Sequence, residues 1–194
     1  MRFIIEGNGG FTAVHGRRIQ MNRGDVLLTP TWNWHDHGKD GSGPMIWLDS
    51  LDLPSFTHFP VHFVEHYSSP RYPAEDVDMY ESPIVFPWHH MQDALDAEPG
   101  AYATRSYLHE DGTEERTDPW LVSKILGGSA ARLNAGSKSP IVQDIINGQR
   151  FNWKRGDTFC IPAWNAYEHH ANDGVGAVYM YRFDDKPMLR SLGF

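Results

Sequence analysis

The sequence predicts an all-β fold made of two related halves, and three observations carry that reading. The segment Gly24 to His37, Gly-Asp-Val-Leu-Leu-Thr-Pro-Thr-Trp-Asn-Trp-His-Asp-His, returns from Gly156 to His169 as Gly-Asp-Thr-Phe-Cys-Ile-Pro-Ala-Trp-Asn-Ala-Tyr-Glu-His. Short apolar or alternating runs, broken by Gly, Pro, Asn and Asp, fill both ends of the chain, as strands and turns require. Turn signals at His15-Gly16-Arg17 and Asn147-Gly148-Gln149 stand at matching places ahead of each Gly-Asp, where a hairpin would reverse.

Taken in order, the first half offers strands at Phe3-Ile4-Ile5, Val26-Leu27-Leu28 and Met45-Ile46-Trp47-Leu48. From about residue 55 to 118 the periodicity fades, and Pro, Tyr, His and acidic residues accumulate. This stretch reads as an irregular connection with one helix over Trp88 to Glu98. There Met91, Ala94 and Leu95 share an apolar face and Pro99-Gly100 stops the helix. Met91 and Leu95 are expected to pack. The second half offers strands at Thr158-Phe159-Cys160-Ile161 and Ala177-Val178-Tyr179-Met180. The lone cysteine, Cys160, excludes an internal disulfide framework, and its apolar neighbours predict a packed strand residue, not a nucleophile. The expected divisions are a first module over 1–58, the connection over 59–118 and a second module over 119–194.

Composition narrows function. A hydrophobic share of 40% in 194 residues supports a packed globular chain. A formal charge of -8, with no clustered Lys and Arg, argues against a nucleic-acid partner. No apolar run is long enough to span a bilayer and no secretory signal is present, so a cytoplasmic location is expected.

The duplicated segment carries the chemistry. Side chains two apart on a strand share a face, so His35 and His37 project together and Asp36 turns away. Two imidazoles at a strand end, flanked by Trp32 and Trp34, suit a metal and an aromatic ligand in a dry cavity. Imidazole ligands with open positions suit iron or another first-row ion better than a closed zinc site. The plainer alternative is that interior histidines satisfy backbone carbonyls. In the second copy Tyr167 stands where the first has His35, and His169-His170 there reads as structural.

The runs Arg2-Phe3-Ile4-Ile5-Glu6-Gly7, Gly24-Asp25-Val26-Leu27-Leu28-Thr29-Pro30, Trp32-Asn33-Trp34-His35-Asp36-His37-Gly38 and Trp47-Leu48-Asp49-Ser50-Leu51-Asp52-Leu53-Pro54 together resemble gentisate 1,2-dioxygenase. The resemblance covers nearly the whole chain, strongest before residue 55 and after Trp120. It implies a bicupin, two jelly-roll-like halves joined by a partly helical linker, and an Fe(II) cofactor. It implies His35 as an iron ligand, His37 facing the substrate, Arg2 gripping the substrate carboxylate, and Asp49 with Trp47 lining the ring pocket. The implied reaction inserts dioxygen into gentisate, a small aromatic hydroxy acid, giving maleylpyruvate. A homo-oligomer is implied too. Salicylate and 1-hydroxy-2-naphthoate are rival rings, and a non-catalytic cupin that binds an aromatic acid is the rival class.

The chain also departs from that family. The family's other two iron ligands come from a His-x-His pair a few residues before the position matched by Arg2, so the first half is expected to be incomplete. Only Ile141 to Asn147 bridge Ser139-Pro140 and Gly148, where the family carries further strand, so the second cupin is expected to be shortened and degenerate. Replacement ligands are poorly placed. His58, His62 and His66 have helical spacing, but Pro60 interrupts it, and His89, His90 and His109 lie in the connection. No Ser-His-Asp set, phosphate-cradling glycine loop or zinc-protease helix motif is present.

Overall fold

The computed structural model describes residues 1–30, 32–51, 53–58, 64–77, 82–108, 127–134, 142–171 and 176–194. In the first half the strands are β1 (Arg2–Gly7), β2 (Gly10–Val14), β3 (Arg17–Gln20), β4 (Val26–Leu27), β5 (His35–Lys39) and β6 (Met45–Asp49). The short helix α1 (Leu53–His58), β7 (Glu75–Asp76), β8 (Val85–Phe86) and helix α2 (Trp88–Asp96) follow. The rest comprises β9 (Tyr102–Ser106), β10 (Gly127–Asn134), β11 (Val142–Ile146), β12 (Gln149–Trp153), β13 (Tyr167–Ala171), β14 (Ala177–Asp184) and helix α3 (Lys186–Ser191). The protein is all-β, as the turn-punctuated pattern predicted.

Packing divides the chain into two compact units. One comprises Met1–Gln92, Ser106–Ser129 and Arg182–Phe194; the other comprises Asp93–Arg105 and Ala130–Tyr181. In the first unit two four-stranded sheets form, ordered β6-β1-β4-β8 and β5-β2-β3-β7. Both take a strand from the segment read as an irregular connection: β8 pairs antiparallel with β4, and β7 pairs parallel with β3. The core of this unit is Ile4, Ile19, Met21, Leu27 and Val85, with Met45, Trp47, Val77 and Ile84 against it. These side chains come from both sheets, so burying them joins the sheets face to face. Met91 and Leu95 on α2 are buried, as their spacing predicted.

The second unit contains the sheet β12-β11-β13 and most of the sheet β14-β10-β9. Ala130, Ala131 and Leu133 of β10 are buried, whereas four of the five residues of β12 are exposed. Residues 158–161 form no strand, which corrects the sequence expectation, and Cys160 is exposed rather than packed. The reason is pairing. The matching β4 lies between β1 and β8, while among the described residues nothing pairs with 158–161.

Local conformation repeats between the halves. His15-Gly16 (φ +53° and +71°) and Asn147-Gly148 (φ +49° and +80°) reverse the hairpins β2–β3 and β11–β12 with positive φ at both central residues. That is the type I′ condition, whose twist matches the flanking strands. Trp32 and Trp164 also share a left-handed φ, +62° and +65°. The following Asn33 and Asn165 each donate from Nδ2 to the carbonyl of Pro30 and Pro162, both at 3.1 Å.

Candidate functional site

The first unit's two sheets bring the expected site residues together. Arg2 on β1 lies directly opposite Asp49 on β6, and Trp47, two residues before Asp49, falls on the same face. On the other sheet His37 of β5 lies opposite Thr12 of β2, and His35 lies opposite Val14. The alternation holds. Asp36 turns the other way, where its carboxylate takes Arg71 Nε at 3.0 Å and the Tyr72 backbone N–H at 3.3 Å. The His35 and His37 rings stand 5.4 Å apart.

Arg2 is the hub. Its Nε and Nη2 donate to Asp49 Oδ1 and Oδ2 at 2.7 and 3.0 Å, a bidentate pair, and Nη1 donates to Thr12 Oγ1 at 3.1 Å. Its guanidinium also lies 5.2 Å from the Trp47 ring centre, and Trp47 Nε1 donates to Asp49 Oδ2 at 3.3 Å. A planar fork matched to a carboxylate is the geometry that favours arginine here. Sequence reasoning assigned that fork to a substrate carboxylate; in the protein Asp49 occupies it, because the β1–β6 register sets the two side by side. Among the described residues Nη2 donates to Asp49 alone, which leaves its second N–H unassigned.

The electrostatics follow from this packing. Burial penalises a charged His37, and the neighbouring Arg2 and His35 add to the penalty, so its pKa falls to about 4. Neutral His37 is therefore the form present near neutrality. For Asp49, burial raises the pKa, but the hydrogen bond and charge of Arg2 and the Trp47 N–H outweigh it and hold the carboxyl below its ordinary value. The site is an ionised Arg–Asp pair beside a neutral imidazole.

Sequence reasoning missed Thr12. It is fully buried, with its hydroxyl 3.1 Å from His37 Nδ1. The only signal was a hydroxyl inside the apolar run Phe11 to Val14, which suits β-branched packing equally well.

His35 is exposed at the start of β5. Its Nδ1 lies 3.0 Å from the Asn33 carbonyl, which only accepts, so Nδ1 carries the proton and Nε2 keeps a lone pair. Nevertheless, among the described residues no group of three His, Cys, Asp or Glu converges as a metal site. The described residues thus do not by themselves complete the iron site that the resemblance implies. His58 ends α1, His66 is exposed outside any element, and His89 and His90 are exposed on α2; His62 and His109 lie outside the described residues.

The second unit repeats the shape of the ring pair without its chemistry. Tyr167 and His169 stand 5.1 Å apart at 55°, against 5.4 Å and 48° for His35 and His37. His170 faces the other way and pairs with Glu168 at 3.0 Å. A cleft of about 440 Å³ opens between Tyr102, Leu133, Asn134, His169 and Ala171.

Comparison with known proteins agrees with this architecture. A family model described as a cupin domain matches residues 1–51. Residues 1–51 thus form a cupin domain, and the all-β fold matches that of a bicupin. Over 230 aligned residues it is 31% identical to gentisate 1,2 dioxygenase 1 of Aquipseudomonas alcaligenes, covering all of this chain and 65% of that protein. It is 27% identical to the 5-aminosalicylate 1,2-dioxygenase of Comamonas sp, again over the whole chain and 61% of the relative. The crystal structure of a salicylate 1,2-dioxygenase from Pseudaminobacter salicylatoxidans superposes with a TM-score of 0.81 at 26% identity, covering all of this chain and 66% of that one. Over its full length the chain is thus similar to gentisate 1,2-dioxygenases and to dioxygenases of related aromatic acids. It spans just under two thirds of the length of these relatives.

Proposed function

We propose that this chain carries the substrate-binding part of a ring-cleaving dioxygenase of the gentisate 1,2-dioxygenase type, acting on a small aromatic hydroxy acid with dioxygen and Fe(II). The observation that supports this best is the convergence of Arg2, Asp49, Trp47 and His37 at one place between two cupin sheets, with His35 beside them. Arg2 offers its charge and the second Nη2 N–H to the ring's carboxylate. Trp47 supplies an aromatic wall. Asp49, ionised and partly exposed, accepts from a phenolic hydroxyl and orients its proton. His37, neutral, faces the ring as a hydrogen-bonding partner, and His35 offers one ligand to iron. Since the described ligand set is incomplete, what the described residues supply is binding and orientation.

The test is gentisate consumption and dioxygen uptake with ferrous iron in excess, run beside salicylate and 1-hydroxy-2-naphthoate. Gentisate should be converted to maleylpyruvate, with Arg2→Ala and His37→Ala losing about tenfold or more in kcat/KM, equivalent to roughly 1.4 kcal/mol or more of transition-state stabilisation. No conversion of any of the three acids would sink the enzymatic reading. The ligand set, incomplete among the described residues, favours a second reading, a non-catalytic cupin that binds an aromatic acid; gentisate affinity unchanged by a chelator, without turnover, would establish it.

A further inference from the structure

Thr12 sits at the centre of the site, and the ring-binding reading assigns it nothing. Its hydroxyl has three neighbours: Arg2 Nη1 at 3.1 Å, His37 Nδ1 at 3.1 Å and Met21 Sδ at 3.4 Å. A guanidinium only donates, so Nη1–H points to Oγ1. Two arrangements remain: the hydroxyl donates to His37 Nδ1, or it donates to Met21 Sδ and accepts a second hydrogen bond from a protonated Nδ1. The thioether is the weaker acceptor and the longer contact. Accepting from a cation also polarises the O–H bond and strengthens its onward donation. The proton therefore goes to Nδ1.

Arg2 does not compete for that nitrogen. Nη1 stands 2.9 Å from His37 Nδ1 and 3.0 Å from Nε2. Two ring nitrogens flank a single carbon, so an atom this close to both cannot lie in the ring plane without overlapping Cε1. Nη1 sits over the ring face, where the in-plane lone pairs do not point, and the contact is one of cation and ring rather than a hydrogen bond.

We propose that Thr12 is a positioning residue that relays a hydrogen bond from Arg2 to His37 Nδ1 and so fixes His37 in the tautomer carrying its proton on Nε2. The site then presents Nε2–H as a donor to a ligand oxygen. The identity of that oxygen as one on an aromatic hydroxy acid rests on the ring-cleavage reading above; the tautomer does not.

The experiment is nitrogen NMR of the full chain, metal-free and labelled at histidine, at about pH 8, well above the ordinary imidazole pKa of ~6.5. The His37 signals are assigned by their loss in His37→Gln. Wild type should show a protonated Nε2 and an unprotonated Nδ1, and Thr12→Ser should keep that pattern. Thr12→Val, which retains the shape and removes the hydroxyl, should lose the single tautomer and move toward a mixture. A proton on Nδ1 in the wild type, or no change in Thr12→Val, overturns the proposal. Should Thr12→Val fail to fold, the wild-type and Thr12→Ser spectra still decide it, because a proton on Nδ1 in either is fatal. Absence of turnover of gentisate, salicylate and 1-hydroxy-2-naphthoate alongside an intact Nε2–H tautomer would remove the ring-cleavage reading and leave Thr12's role standing.

Discussion

At the scale of single residues, the site shows which roles strand alternation can reveal and which need a partner strand. His35 and His37 on one face, with Asp36 on the other, follow from period two alone. Arg2 against Asp49 does not, because the residues are 47 apart in sequence and only the β1–β6 register joins them. Thr12 was invisible for the same reason: its meaning comes from His37 across the ladder. The depressed pKa of His37 has a measurable consequence. The unfolded chain takes up a proton near the ordinary value of 6.5, while folded His37 does so only near 4. Between those values the unfolded state holds more protons, so the folded state loses stability as pH falls through this window. Asp49 acts lower down, because its stabilisation persists above the ordinary value of 3.8 and is lost only as pH falls through its depressed folded pKa. Asp25, raised by burial, binds a proton more readily when folded and works in the opposite direction to His37. The urea midpoint should therefore be lower at about pH 4.5 than at about pH 7, and His37→Gln should shrink that difference. An equal pH response in variant and wild type would contradict the partly buried, neutral imidazole.

At the scale of elements, the features readable from sequence were those whose cause is local. Hairpin reversals at His15-Gly16 and Asn147-Gly148 need only residues that tolerate positive φ, and the helix over α2 needs only its apolar spacing and a stop. The strand expected at 158–161 failed because a strand depends on a neighbour. The Gly-Asp turns make the same point energetically. Gly24 and Gly156 have φ of +88° and +90°, so a side chain at either is strained. Their surroundings differ. A Cβ on Gly24 would come within 2.6 Å of Trp88 Cγ, and Asp25 Oδ1 accepts the Trp88 backbone N–H at 2.9 Å, so this turn is the seat of the first residue of α2. Among the described residues a Cβ on Gly156 meets nothing within 4 Å. Alanine at either should cost about 1–2 kcal/mol from the left-handed backbone, and Gly24→Ala should lose a further ~1–3 kcal/mol from overpacking against Trp88. Urea titrations of the two variants measure the difference; equal losses would mean that Trp88 yields without resistance.

At the scale of the whole molecule, the duplication preserved geometry more faithfully than chemistry. His169 lies opposite Asp144 on β11 as His37 lies opposite Thr12 on β2, and the ring pairs nearly superpose in spacing and tilt. Tyr167 in place of His35 removes the imidazole that could hold a metal. On the proposed function, iron bound at this motif is expected to depend on His35. One imidazole, even with its tautomer fixed by Asn33, is a weak hold, because affinity for a divalent ion rises with the number of converging ligands and none of the described residues supplies the rest. After anaerobic loading with ferrous iron and desalting, elemental analysis should find well under one iron per chain. His35→Ala should abolish the retained fraction, while a control Tyr167→Phe should leave it unchanged. Stoichiometric iron that survives desalting and vanishes in His35→Ala would show instead that the chain completes the site with residues beyond those described. Iron unaffected by His35→Ala would place the metal outside the duplicated motif altogether.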